Sequence, residues 1–231
     1  MVVTKEPVLT KTQINKAGKA LSKQEKADPV AKQQALTLLL LYRATHQVPL
    51  TKATMGLRSR VATAKCARVE VSQRLKRIPT ILDKLNREPT MKLANMQDIG
   101  GCRAILADID EVRRVQKRLR QRTLKLYDYI VAPKDSGYRG IHVIVEYDGR
   151  LTEVQLRTRL MHQWAYTVER LSGRLGVDLK AGQGPAPVLS WLRLVSEAMA
   201  LEEAGHPVDN EGMRHLQALR RKALPYVEGG S

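Results

Sequence analysis

Tyr138, Gly140 and His142 alternate along the chain, and Glu153, Gln155 and Arg157 alternate again a short distance later. Side chains two apart on a strand share a face. Each segment therefore offers one polar face, opposite an apolar one made of Ile141, Val143, Val145 and Tyr147 in the first and Val154 and Leu156 in the second. A phenol and an imidazole can stack or hydrogen-bond. A carboxylate can hold a metal or take a proton, and an amide and a guanidinium bind oxygen anions. A solvated sheet face shows the same alternation, so the pattern alone does not define a site. By strand rise Tyr138 and His142 fall about 13 Å apart and are expected to touch different parts of an extended ligand.

The preceding loop, Pro133-Lys134-Asp135-Ser136-Gly137, sets a lysine and a flexible glycine beside Tyr138. This suits close backbone approach to a phosphate-bearing ligand. Asp98 precedes the Gly100–Gly101 turn, where a capping role is the plain alternative. If the strand after that turn lies beside the one carrying Glu153, Asp98 and Glu153 can share one Mg²⁺, a hard cation that takes carboxylate and phosphate oxygens.

Periodicity supplies the elements that must position these groups. Asp28–Pro29 starts a buried helix running to about His46, rich in Leu36 and Leu38 to Leu41. A second helix is expected over 54–71 and a third over 72–87, with Leu75, Ile78, Ile81, Leu82 and Leu85 on one stripe. Residues 101–107 read as a strand, and 109–122 as an amphipathic helix with Val112, Val115 and Leu119 inward. Strands follow over 124–132, 138–147 and 151–158, with Asp148–Gly149 closing a hairpin. Helices are expected at 159–172, 188–204 and 210–223, with a loop over 173–187. The order predicts an α+β fold around a mixed sheet flanked by helices. The division expected is a basic arm and helix over 1–50, a catalytic domain over 51–180, and C-terminal helices over 181–231.

The chain has 231 residues, 40 Lys+Arg and 23 Asp+Glu, for a formal charge of +17. Such a surplus favours a polyanionic partner, whether nucleic acid, nucleotide or anionic membrane. Cys66 and Cys102 lack metal-type spacing and read as buried reduced thiols. The longest apolar run, Leu38 to Tyr42, is too short to span a bilayer, and the lysine-rich start lacks a signal-type stretch. A soluble, cytoplasmic protein is expected.

The strings RLKRIPTILDKL, MQDIGGCRAI, YDYIVAPKDSGYRGIH and TEVQLRTRLMHQWA, in this order and spacing over about residues 70–172, resemble the synthetase domain of the RelA/SpoT superfamily, in its single-domain small alarmone synthetases. No His-Asp dipeptide occurs, so the hydrolase half of the long members is missing from this sequence. The resemblance implies a nucleotidyltransferase-like fold and attack by a ribose 3′-hydroxyl on the β-phosphorus of ATP, with AMP leaving. It places Arg74 and Arg103 around the adenine of ATP and Lys76 on its phosphates. Asp98 and Glu153 hold Mg²⁺, and Glu153 assists deprotonation. Lys134 and His142 meet phosphates, Tyr138 stacks on the acceptor base, and Gln155 and Arg157 support the site. Trp164 is either part of the site or an anchor of the following helix.

Two departures bear on the acceptor. Gly140 stands where many guanosine-nucleotide synthetases carry Ser, and Glu169–Arg170 where a Glu–His pair is common. The texture is closer to the toxic and phage-defence groups, whose acceptor is the 3′ CCA end of tRNA and which pair with an antitoxin. The +17 charge points the same way, since tRNA engages many cations. Candidate tRNA contacts are Lys16, Lys19, Lys23, Arg58, Arg60, Lys65 and Arg68. The rival readings are a GDP/GTP pyrophosphokinase making (p)ppGpp, a non-catalytic RNA- or nucleotide-binding module, and a DNA-binding protein using helix 109–122. The last leaves the sheet-face residues unexplained.

Overall fold

A computed structural model describes residues 9–22 and 28–228. Lys23 lies outside them. A five-stranded sheet has strands β1 (Glu70–Leu75), β2 (Gly100–Leu106), β3 (Lys125–Asp128), β4 (Ile141–Tyr147) and β5 (Arg150–Thr158) in the order β1-β2-β5-β4-β3. The α+β architecture is as the sequence predicts. The strands after Gly100 and after Arg150 are neighbours, the adjacency on which a shared cation site depends. Asp148 and Gly149 both take positive φ, 49° and 70°, which a tight β4–β5 hairpin requires.

Helices accompany the sheet: α1 (Lys11–Leu21), α2 (Pro29–Ala44), α3 (Gln47–Thr63), α4 (Ile78–Arg87), α5 (Ile109–Leu119), α6 (Arg159–Leu175), α7 (Ala186–Glu203) and α8 (Asn210–Glu228). The Asp28 carboxylate caps α2 by accepting from the Val30 and Ala31 amides, as the Asp-Pro start implies. Two expectations fail. The segment expected to start the third helix is strand β1 over residues 70–75, so the helix begins only at Ile78. The run EVSQRL carries no apolar stripe until Leu75, and Pro79 fixes the helix start instead. The second helix ends at Thr63 rather than Val71. The chain turns at Lys65, in the left-handed region with φ 52°.

Two compact units interleave along the chain: residues 1–56, 72–102 and 144–154 in one, 57–71, 103–143 and 155–231 in the other. A boundary at 50 would cut α3, and one at 180 would cut the short 3₁₀ turn Leu179–Ala181. The first unit centres on Ile14, Leu39, Tyr42, Ile81, Leu93 and Ile99. The second centres on Tyr138, Trp164, Val168, Leu179, Val188 and Leu192.

Candidate active site

In the first unit, the backbone amide of Lys76 bonds the carbonyl of Ile99 at 2.8 Å. This stitches the end of β1 to the lead-in of β2 and brings Lys76 beside Asp98. Lys76 Nζ lies 2.8 Å from Asp98 Oδ2, and Lys84 Nζ, from α4, lies 3.1 Å from Oδ1. Burial works against ionisation of Asp98, but the two ammonium groups outweigh it and hold the carboxyl below its ordinary range. The Glu153 carboxylate pushes the other way, so the two acids feel one another.

The chemistry of that pair suits a cation: two carboxylates whose charges act on one another, beside lysines that can meet phosphate. Among the described residues no group of three His, Cys, Asp or Glu side chains gathers into a metal cage. A Mg²⁺ here would take the rest of its shell from phosphate and water, which is how this ion is usually held at phosphate-transfer sites. Arg74 is exposed on β1 in this unit. Lys16 and Lys19 lie on exposed positions of α1, where they line a cavity of about 470 Å³ with Lys92 and Ser22.

The second unit holds the loop and its aromatic cluster. Tyr138 is fully buried and His142 is 9% exposed. They do not reach separate parts of a ligand: the Tyr138 hydroxyl and His142 Nε2 are 2.5 Å apart. The strand starts only at Ile141, so Tyr138 lies ahead of it and is not held at strand spacing from His142. A Cβ at Gly140 would sit 3.2 Å from the Tyr138 hydroxyl and 3.4 Å from both Arg157 Cγ and the Leu156 carbonyl. A side chain at that position would be strained at this φ and would press on the phenol.

The Tyr138 ring is surrounded by cations: Lys180 Nζ at 4.6 Å, Arg157 Cζ at 5.1 Å and Lys134 Nζ at 5.7 Å from its centre. Tyr129 meets Tyr138 and His142 edge-on, at 5.7 and 5.2 Å. In this state no face of Tyr138 is open to solvent, so stacking on an acceptor base requires a cation to move aside. Lys180, from the segment expected to be plain loop, carries no sequence signal that would have marked it. Gln155 and Arg157 are joined, Arg157 Nη2 donating to Gln155 Oε1 at 2.7 Å, with Arg157 only 3% exposed. Arg103, half-buried on β2, and Arg157 both lower the pKa of His162 on α6, after desolvation as the main cause.

Trp164 is an anchor: it is buried and its indole N–H donates to the Leu192 carbonyl at 2.8 Å. The loop rests on α7. The Ser196 hydroxyl donates to the Gly137 carbonyl at 2.5 Å, and a Cβ on Gly137 would meet Arg193 Cα at 2.9 Å. Sequence reasoning missed the buried pair Arg139–Glu203, 2.7 Å between Nη1 and Oε2, oriented off the line of a hydrogen bond. Glu203 also accepts from the Thr158 hydroxyl. Of the proposed tRNA contacts in this unit, Arg58, Lys65 and Arg68 are exposed and Arg60 is half-buried, its Nε donating to the Arg118 carbonyl at 3.2 Å.

The region found in RelA/SpoT proteins matches residues 73–170. GTP pyrophosphokinase YjbM of Bacillus subtilis (strain 168) is 30% identical over 167 residues, covering 66% of this chain and 77% of that protein. GTP pyrophosphokinase YwaC of the same organism is 34% identical over 123 residues, covering 46% and 59%. Small alarmone synthetase 1 from Bacillus subtilis, solved with its product pppGpp, shares the fold with a TM-score of 0.62 at 23% identity, over 79% of this chain and 97% of that one. A GTP pyrophosphokinase family protein from Streptococcus pneumoniae aligns with a TM-score of 0.55 at 26% identity, over 76% and 90%. The agreement of matched region and relatives means that the chain belongs to the RelA/SpoT family, as a pyrophosphokinase.

Proposed function

We propose that this enzyme transfers the β,γ-pyrophosphate of ATP to the 3′-hydroxyl of the terminal adenosine of tRNA, releasing AMP and blocking aminoacylation. The hydroxyl oxygen attacks the β-phosphorus, the bond from that phosphorus to the α–β bridging oxygen breaks, and the hydroxyl proton passes to the Glu153 carboxylate. The observation that carries the reaction is Asp98, kept ionised between Lys76 and Lys84 and coupled to Glu153. Asp98 and Glu153 would hold Mg²⁺, which supplies neutralisation of phosphate oxygens. Lys76 meets the ATP phosphates, Arg74 and Arg103 hold the adenine, and Lys134, His142, Gln155 and Arg157 orient the acceptor around Tyr138. Positioning and charge neutralisation are what this chemistry demands.

The acceptor reading rests on the +17 charge and on Gly140, where a side chain would press on the Tyr138–His142 pair. As a tRNA-directed toxin, the enzyme would be expected to have a neutralising antitoxin. The second reading, a guanine nucleotide as acceptor, is favoured by the names of both Bacillus relatives. Mg²⁺-dependent AMP release in the presence of deacylated tRNA, against GDP and GTP in parallel, separates the two. A pure binding module would release no AMP with any of them.

A further inference from the structure

In the second unit, two basic segments lie near one another. Residues 57–68 carry Arg58, Arg60, Lys65 and Arg68 without an acid, and residues 113–125 carry Arg113, Arg114, Lys117, Arg118, Arg120, Arg122 and Lys125, again without one. The fold sets these segments side by side. The Arg60 guanidinium reaches the carbonyl of Arg118 near the end of α5, and the Ala67 amide donates to Glu111 Oε1 near its start at 2.7 Å.

Helix dipole complementarity accounts for Lys117 and Arg118 in the last turn of α5. The 3₁₀ turn Arg120–Arg122 that continues the helix places two more cations at the same end, but the dipole does not account for Lys125 or for the four cations on the neighbouring segment. The apolar stripe of α5 is buried through Val112, Val115 and Leu119. Arg114, Lys117, Arg118 and Arg120 are turned outward.

The same segment runs directly into β3, the edge strand. Arg113 pairs with Asp128, whose carboxylate also accepts from the Ile130 and Val131 amides at 3.1 and 3.2 Å. Along β3, Leu126 and Tyr127 are exposed, and the Tyr127 ring lies parallel to Tyr129 at 6.2 Å. Tyr129 is in turn edge-on to Tyr138. A basic face able to follow a paired backbone thus leads past the exposed Tyr127 ring, on which an unpaired base can stack, and the half-buried Tyr129 to the buried tyrosine.

We propose that the α3–α5 basic face binds the phosphates of an RNA stem whose single-stranded 3′ end follows the β3 edge towards Tyr138. This rests on the tRNA reading for the purpose of the docking, while the surface itself is tested by binding alone. The probe is a fluorescent RNA stem with an unpaired 3′ end, titrated into the full chain without ATP. Lys117→Glu/Arg118→Glu/Arg120→Glu is compared with Arg214→Glu/Arg221→Glu/Lys222→Glu on α8, which changes the net charge equally. Circular dichroism melts confirm that both variants fold.

The α5 variant is expected to bind at least about tenfold more weakly, with the salt slope reduced by about 0.9 for each lost phosphate contact. The α8 variant should bind nearly as wild type does. Equal losses in both variants, or no loss in the α5 variant, overturn the proposal. The two readings fail separately. RNA bound at this face but never pyrophosphorylated refutes the acceptor and leaves the surface standing. RNA pyrophosphorylated equally by wild type and α5 variant refutes the surface and leaves the acceptor.

Discussion

The Tyr138 hydroxyl lies 2.5 Å from His142 Nε2, so two side chains that strand spacing separates behave as one hydrogen-bonded unit. Removing the hydroxyl deletes its bond to a buried ring nitrogen, at a cost of about 1–3 kcal/mol. Tyr138→Phe is therefore expected to keep the fold, unfold at lower urea, and release AMP at least about tenfold more slowly. Unaltered turnover in Tyr138→Phe would show that the pair is structural only.

Gly140 is the second half of that arrangement. Its φ of +149°, and the 3.2 Å that would separate a Cβ at this position from the Tyr138 hydroxyl, set the direction of the effect. Gly140→Ser is expected to destabilise the fold by about 1–3 kcal/mol. The serine should also displace the phenol from His142. Parallel turnover assays with tRNA and GTP then show whether acceptor preference moves with the phenol.

Much of the fold is legible in the sequence, and the exceptions have causes. Alternation places β4 and β5, and Asp148–Gly149 places their hairpin, because both are local properties of the chain. Strand β1 reads as helix because its six residues lack an apolar period and abut a true helical stripe from Ile78. Asp98 and Glu153 can be nominated from the sequence, but the Lys84 contact cannot, since it depends on where α4 packs. Lys180 over Tyr138 and Glu203 beside Arg139 are contacts across long chain separations, and neither local composition nor period encodes them.

Asp98 gives a signed pH prediction. Its folded-state pKa is depressed, so its ion pairs stabilise the fold above the ordinary carboxylate value of 3.8 and that contribution is lost as pH falls below it. Asp98→Asn should be less stable than wild type near neutral pH, and the gap should close towards about pH 3 in urea titrations. At neutral pH both Asp98→Asn and Glu153→Gln should lower the rate of AMP release by about 10²-fold or more. Full activity in the Glu153 variant would refute the metal assignment.

Buried pairs behave differently. Arg139 and Glu203 are both nearly inaccessible, and Glu203 also receives the Thr158 hydroxyl. Glu203→Ala leaves a buried guanidinium uncompensated, with an expected loss of about 3–5 kcal/mol. The Tm should fall sharply. Arg139→Met/Glu203→Leu should recover a large part of it.

His46 offers an independent test of the first unit. Burial drives its pKa down to about 4 from 6.5, while Nδ1 bonds the Tyr42 carbonyl at 2.9 Å. Because the unfolded chain takes up the proton first, stability should fall as pH drops from 6.5 towards 4. Substituting His46→Gln should flatten that slope, read as the urea midpoint against pH.

Labelled ATP tests pyrophosphate transfer to a ribose 3′-hydroxyl directly. Purified protein is incubated with Mg²⁺ and ATP carrying ³²P at the γ-position, with deacylated tRNA, GDP or GTP offered separately. Label is expected on tRNA, is lost when the terminal 3′-hydroxyl is oxidised beforehand, and is accompanied by one AMP released per label transferred. Label on the guanine nucleotides alone would contradict the acceptor, and ADP in place of AMP would contradict the reaction itself.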